Sequence, residues 1–483
     1  MKKIYLTLLS LLALGASSCN DFLDVRPSGE KVENEQFETA KGFEDAINGV
    51  YGYMTDENIY GKEFMWGVPE ILAQNLTSNS PDNVDLASYK YKDNSDLRNR
   101  FYKMWSRGYT AVGYINNVLQ NLEKKSPDAF PLYDMYKGEM LGVRAMLHFD
   151  LLRFFAPKDP AKRGIPYVTS YSFSVKPFST VGECFNYIIK DLTDAEKLLE
   201  AGESIAYPRD DSQYLHFNRY RESHMNLYAV KALLARVYWY MGDNANASKY
   251  AEEVIASNLF PLVDVTEVQD YLAGYLSPKE TIFGLYSPTF IDITKSYLFV
   301  YQSYHSYTTY DNESGAVRLL PWQALYALDI EGTTQDFRTN QFRTSKSSSA
   351  KCFKLVDYKN LENGVVNKNL ISGFTLIHSS EIYLIAADAL LQSNYAKALE
   401  YFNAEITSRG LTPLRPDQTL TAERIFNEYR KEMFCEGQHW FNMKRINADI
   451  TSNYESRVIP GNDEIYVLPI PEEEFEYRPE SNK

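Results

Sequence analysis

The sequence predicts a mainly α protein: a scaffold of helical repeats that carries an inserted, irregular α/β lobe for ligand binding. Apolar residues recur every three to four positions over much of the chain, the period of a helix with one buried face. Two stretches read as paired helices around tight turns, with small residues at matching places. Between these two pairs, from Ser287 to Gly373, the helical period is lost and Ser, Thr, Asn and Gly become frequent.

Taken in order, Phe37, Phe43, Ile47, Val50 and Met54 form a first helical stripe. A second runs through Phe101, Trp105, Val112, Ile115, Leu119 and Leu122. "MLGVRAMLHFDLLRFFAP" follows, with Met140, Val143, Leu147, Leu151 and Phe154 on one stripe and Pro157 as the stop. Thr180 and Glu183 have the form of a capping box that opens a helix through Ile188, Leu192, Ala195 and Leu199. "AVKALLARVYWYMGDNANASKYAEEVIAS" then turns at Gly242-Asp243. Ala235, Tyr238, Ala247 and Ala251 fall where a tetratricopeptide repeat lets its two helices approach closely. "EIYLIAADALLQSNYAKALEYFNAEITSRG" repeats the pattern with Ala386, Ala398 and Phe402. An unrelated helical bundle is the alternative on pattern alone. "TIFGLY", from Thr281 to Tyr286, reads as a strand and opens a lobe spanning roughly 281–373. A loop region of that length is functional or disordered, and its many aromatics argue against disorder.

The amino terminus has the layout of a secretory signal. Lys2 and Lys3 precede an apolar run from Ile4 to Ala13, and small residues lead to Cys19. The expected division is a lipoprotein signal peptide at 1–18 and a mature domain at 19–483, with Cys19 acylated; an ordinary signal with a chance cysteine is the alternative. Acyl chains contribute about 0.8 kcal/mol per buried methylene, so two or three anchor a folded body that has no spanning helix of its own.

Composition narrows the function. The chain of 483 residues carries a net charge of −14, which repels nucleic acid and anionic lipid. Cys184, Cys352 and Cys435 are far apart and odd in number, so no disulfide framework follows. There are 38 tyrosines, whose flat apolar face and polar tip suit them to contact surfaces. HExxH, GxSxG, P-loop and GxGxxG patterns are absent, so the expectation is a protein that is not an enzyme and needs no cofactor. The six histidines lack metal-ligand spacing, and His148 reads as a packed core residue. Ser348-Ser349-Ala350-Lys351 fits SxxK by chance, and "DNESG" has the wrong spacing for a calcium loop. A carboxylate pair for glycoside hydrolysis forms in space rather than in sequence, so a surface glycosidase stays open.

Several segments together resemble the SusD/RagB family of outer-membrane nutrient-binding lipoproteins: "SCNDFLDVRP", "VRAMLHFDLLRFFAP", "ALLARVYWYMGD", "EYRKEMFCEGQHWFNMKRI" and "YVLPIPEEEF". They lie in family order and span nearly the whole chain. His439 and Asn442 depart from the arginine and aspartate the family favours there, so a neutral pair replaces any buried ion contact. The resemblance implies a right-handed tetratricopeptide-like superhelix with an irregular ligand lobe. It implies a lipid-anchored protein on the outer-membrane surface that captures glycan and delivers it to a SusC-like TonB-dependent transporter. Peptide or another nutrient is the alternative ligand, and a repeat protein that binds only other proteins is a further one. For glycan contact the lobe offers Tyr297, Tyr301, Tyr304 and Trp322; Tyr307 and Tyr310 continue the three-residue spacing of Tyr301 and Tyr304. A polyproline-like segment would line such rings along one side, while packing of the lobe onto the scaffold is the plainer role for any one of them. The loop before "FYKMW", which faces the ligand in relatives, adds Tyr89, Tyr91 and Asn94, with Trp66 as a further candidate.

Overall fold

A computed structural model describes residues 33–76, 80–130, 132–202, 217, 219–267, 276–277, 279–300, 325–326, 335–344, 350–352, 354–355, 372–452, 457–476 and 478. Cys19, Tyr301, Tyr304, Tyr307, Tyr310 and Trp322 lie outside the described residues. None of the described helices is long and apolar enough to cross a membrane.

The scaffold is a run of helices, most of which pack on the next in sequence. α1 (Ala40–Met54), α2 (Ser95–Leu122), α3 (Tyr133–Phe155), α4 (Val181–Gly202), α5 (Leu227–Met241) and α6 (Asn244–Ala256) precede the lobe. α7 (Ser379–Leu390), α8 (Tyr395–Ser408), α9 (Ala422–Glu432) and α10 (Gln438–Ile446) follow it. From α2 to α8 every successive pair is in contact, and α6 meets α7 directly although the lobe separates them in sequence. This is the stacking expected of tetratricopeptide-like hairpins.

The hairpin turns follow from their sequences. Gly242 caps α5 with φ of 85°, the left-handed region that suits glycine, and Asp243 at once caps α6 by accepting from the Asn246 amide at 3.1 Å. Ala235, Ala247 and Ala251 are fully buried at the crossing, and Tyr238 stacks on Tyr250 with ring centroids 5.9 Å apart. Asn394 caps α8 as Asp243 caps α6, and Ala386 and Ala398 are buried at the equivalent contact. Thr180 and Glu183 close a reciprocal capping box on α4, with Thr180 N donating to Glu183 Oε2 at 2.8 Å and Glu183 N to Thr180 Oγ1 at 3.2 Å.

α3 differs from its predicted single stripe. Twenty of its 23 residues are buried, because α2, α4, α5 and α1 surround it. Its charged residues are therefore held inside by partners. Arg144 forks onto Asp191 with two bonds of 2.8 Å and reaches Asn116 at 2.9 Å. Glu139 takes Arg221 at 2.5 Å and Tyr51 at 2.9 Å. Arg153 pairs with Asp150 and lies 3.8 Å from the Phe441 ring centre. His148 is neutral and saturated: Nδ1 donates to Arg144 O at 2.9 Å, Nε2 accepts from Val168 N at 3.0 Å, and the ring stacks on Tyr167. The packed-histidine reading of His148 holds.

The lobe is tied to the scaffold at both ends. β1 (Thr281–Tyr286) pairs antiparallel with β4 (Gly373–His378), and Tyr286 faces Gly373 in the register. Two short strands between them, β2 (Phe342–Thr344) and β3 (Ala350–Cys352), pair with each other.

Candidate functional site

Three segments of scaffold and one of lobe enclose an open cleft of about 820 Å³. The end of α1 contributes Thr55 to Asn58, followed by Lys62 and Glu63; Ser80 to Asn83 form one wall. The first turns of α2 contribute Asp96, Asn99, Arg100 and Lys103, which the helical period places on one face. Ile293 and Tyr297 close the cleft from the lobe.

The floor is built from paired charges. Glu63 is buried and receives Arg100 at 2.5 Å and Lys62 at 3.1 Å. Burial alone would raise its carboxyl, but those two cations hold it below its usual value. Arg100 also donates to Asn83 Oδ1 at 2.7 Å. Tyr297 is half-buried; its hydroxyl reaches Glu57 Oε2 at 3.3 Å, and the Lys62 ammonium lies 4.1 Å from its ring centre. These floor groups bond to one another; the lining side chains Asp56, Asp82, Asp96 and Asn99 around them can pair with a ligand rich in hydroxyl groups.

The cleft floor in turn rests on the carboxyl-terminal motif. Gly437 has φ of 77° and its amide donates to buried Glu70 Oε1 at 2.8 Å. A Cβ there would stand 2.6 Å from Met65 O, in the single-turn π-helix Glu63–Gly67 that carries Glu63. Only glycine meets both demands.

The other predicted contact residues among those described sit elsewhere. Trp66 is fully buried, with its indole N–H on Gly61 O at 3.0 Å and its ring against Tyr297; it supports the cleft from behind and presents no face to a ligand. Tyr89 and Tyr91 are buried and their hydroxyls are spent on Leu72 O at 2.8 Å and Ile465 O at 2.6 Å. They line a separate groove with Phe155, Pro157, Leu468 and Pro469, away from Tyr297. Asn94 caps α2 through Asp96 N and Leu97 N and also bonds Asp85, so its side chain is occupied. Of the described candidates, Tyr297 lines the cleft; Trp66 is corrected to a packing residue behind it, and Tyr89, Tyr91 and Asn94 lie off the cleft with their polar atoms used in packing and capping. Sequence reasoning missed Glu63, Asn83 and Arg100. The only trace of Glu63 and Arg100 was the polar density of "TDENIYGKE" and of the start of α2; Asn83 left none.

A second polar cluster is fully buried and fastens the lobe. Arg338 of the lobe bonds Asp336 at 2.7 Å, Glu432 at 2.9 Å, and Glu428. Arg409 bridges Glu280 at 2.8 Å and Glu432 at 2.7 Å. Lys354 pairs with Glu436 at 2.7 Å, and Tyr326 donates to Lys431 O at 2.5 Å. Glu280, His378 and Glu432 place possible ligand atoms within 4.8 Å of one another. Arg409 already occupies both carboxylates, so this trio is a salt-bridge junction rather than a metal centre. Within it Glu405 Oε2 has no hydrogen-bond partner, and burial beside Glu428 pushes its carboxyl well above the usual range.

At the carboxyl end, His439 and Asn442 are buried and make no pair with each other; Asn442 accepts from Arg445 at 3.1 Å. Burial, with Arg430 nearby, pushes the His439 imidazole well below its usual value, so it is neutral.

Stacked helical hairpins carrying an inserted lobe, with a polar cleft at their junction, define a repeat-scaffold binding protein. Residues 21–239 match a SusD-like family described as starch-binding associating with outer membrane, and residues 328–481 match the SusD family. The chain belongs to the SusD/RagB family. It is similar to SusD-like protein P2 of Formosa agariphila, 23% identical over 92% of this chain and 91% of that one. A SusD superfamily protein of Bacteroides thetaiotaomicron shares the fold at a TM-score of 0.68 and 22% identity, covering 91% of this chain and 98% of that chain. A SusD-like carbohydrate binding protein of Bacteroides vulgatus does so at 0.67 and 18%, covering 90% and 95%.

Proposed function

We propose that this protein is a lipid-anchored receptor on the outer-membrane surface that captures glycan without cleaving it and passes it to a TonB-dependent transporter. One observation carries the reading: a cleft of about 820 Å³ where hydrogen-bonding side chains of the scaffold meet Tyr297, at the start of the tyrosine-rich tract. A sugar ring needs hydroxyl partners and an aromatic face, and this junction offers the first beside a sequence that supplies the second. Family membership and the carbohydrate-binding description of the Bacteroides vulgatus relative support it. Acylation of Cys19 supplies the anchor, and Tyr301, Tyr304 and Trp322 supply the stacking rings.

The test is calorimetry with a glycan the wild type binds. Tyr297→Ala, Trp322→Ala and a Tyr301→Ala/Tyr304→Ala pair are compared after each is shown to be folded. A stacked ring contributes on the order of 1 kcal/mol beyond its area, so losing two weakens binding about tenfold or more. Wild-type affinity in every variant would remove the cleft and tract from consideration. The same glycan, incubated with purified protein, yields no new reducing ends; turnover lost on mutating one carboxylate pair would make the protein a glycosidase instead.

A further inference from the structure

Resting on that reading, we propose that the cleft selects neutral, hydroxyl-rich glycans and rejects chains bearing uronate or sulfate. Among the described lining residues there are five carboxylates, Asp56, Glu57, Glu63, Asp82 and Asp96, against three cations, Lys62, Arg100 and Lys103. Their distribution matters more than their number. Lys62 and Arg100 are consumed by the one buried acid, Glu63, at 3.1 and 2.5 Å, and their side chains are only 11% and 12% exposed. Arg100 is further fixed by Asn83 at 2.7 Å. Neither guanidinium nor ammonium is arranged as an open fork for an incoming anion, the geometry that recognises carboxylate or sulfate. Lys103, at the exposed rim of α2, is a single mobile charge on a long stem.

The remaining acids point the opposite way. Asp56 Oδ1 receives the Asn58 amide and side chain at 2.8 and 2.7 Å, which fixes the carboxylate, while its Oδ2 lies 4.0 Å from Arg107. Asp82 stands 3.9 Å from Arg100, beyond hydrogen-bond reach, and is 34% exposed. Asp96, in the first turn of α2, is exposed. These oxygens accept hydrogen bonds, and a sugar hydroxyl donates them; a bond to an ionised acceptor is the stronger kind. An anionic ring in the same place would exchange a hydroxyl donor for an acceptor-only carboxylate or sulfate and meet like charge in the cleft. The net charge of −14 extends the same repulsion beyond the cleft.

The experiment uses the whole chain and a panel matched in length. The neutral arm is mannan, β-glucan and arabinan fragments, and the acidic arm is polygalacturonate, alginate and sulfated fucan fragments. The expected result is binding confined to the neutral arm, or at least tenfold tighter there, with an affinity that stays within twofold between about 50 and 500 mM salt. An Asp56→Asn/Asp82→Asn/Asp96→Asn variant, shown to be folded, narrows the discrimination at least fivefold. Tighter binding of an acidic glycan by the wild type, a strong loss of affinity with salt, or unchanged discrimination in the triple variant overturns the inference while leaving glycan capture intact. Binding of no glycan from either arm overturns capture itself, and the inference with it.

Discussion

His148 gives the scaffold a calculable response to acid. In the fold its Nε2 accepts the Val168 amide and its Nδ1 donates to Arg144 O, so the neutral ring is fully used. Burial, with the Arg144 guanidinium adding to it, lowers the imidazole from 6.5 to about 4. The folded pKa lies below the unfolded one, so the unfolded chain binds the extra proton first. Stability from this residue is present above 6.5 and is lost as pH falls toward 4. The full difference amounts to about 3 kcal/mol at 1.36 kcal/mol per unit, of which about 2 kcal/mol is lost between about pH 7.5 and pH 5. Other groups titrate in that window, so the measurement is a difference. His148→Gln keeps an acceptor of similar reach for Val168 but cannot titrate. Urea unfolding of wild type and variant at both pH values should show the wild-type advantage shrinking by about 2 kcal/mol at the lower pH. An advantage independent of pH would mean that the ring is solvated or charged in the fold, and the reasoning fails.

Further outcomes follow from the buried clasp and the cleft floor. Arg409→Met strips buried Glu280 of its guanidinium and leaves Glu432 with Arg338, and should cost about 3–5 kcal/mol in chemical denaturation. Glu405→Gln and Glu432→Gln should act in opposite directions at neutral pH. The first replaces an acid whose raised pKa makes the fold take up a proton, so it holds or raises the thermal midpoint; the second removes the anion that Arg409 and Arg338 need, so it lowers it. The wild-type benefit of the Glu405 proton is complete below its unfolded pKa and lost as pH rises through the folded one, so the Glu405→Gln gain grows with pH. Gly437→Ala forces a Cβ against Met65 O and should weaken glycan affinity and lower the thermal midpoint together. Cys19→Ala should move the protein out of the membrane fraction, and retention after a salt wash would exclude the lipid anchor.

Helices were legible because their signals are local. The Gly242-Asp243 turn, the Thr180–Glu183 box and the alanines at the hairpin crossings each follow from a few neighbouring residues. α3 was legible as a helix but not as one buried on every side, because the groups that neutralise its charges come from Asp191, Arg221 and Tyr51, far away in sequence. The cleft suffered from the same distance: Glu63, Asn83 and Arg100 meet only in space. Aromatic type alone misled for Trp66, Tyr89 and Tyr91, since a large ring covers a core as readily as a sugar.

The pairing of Tyr286 with Gly373 has an evolutionary reading. Because the two ends of the insert meet as neighbouring strands, the scaffold experiences the lobe as a closed loop whose length barely matters. Doubling such a loop costs only about 0.6 kcal/mol of closure entropy. Residues between the strands can therefore be exchanged, lengthened or shortened with little effect on α6 and α7, provided the contacts made by Tyr326, Arg338 and Lys354 are kept. One inherited frame can then carry very different inserts by rewriting a single internal stretch of the gene.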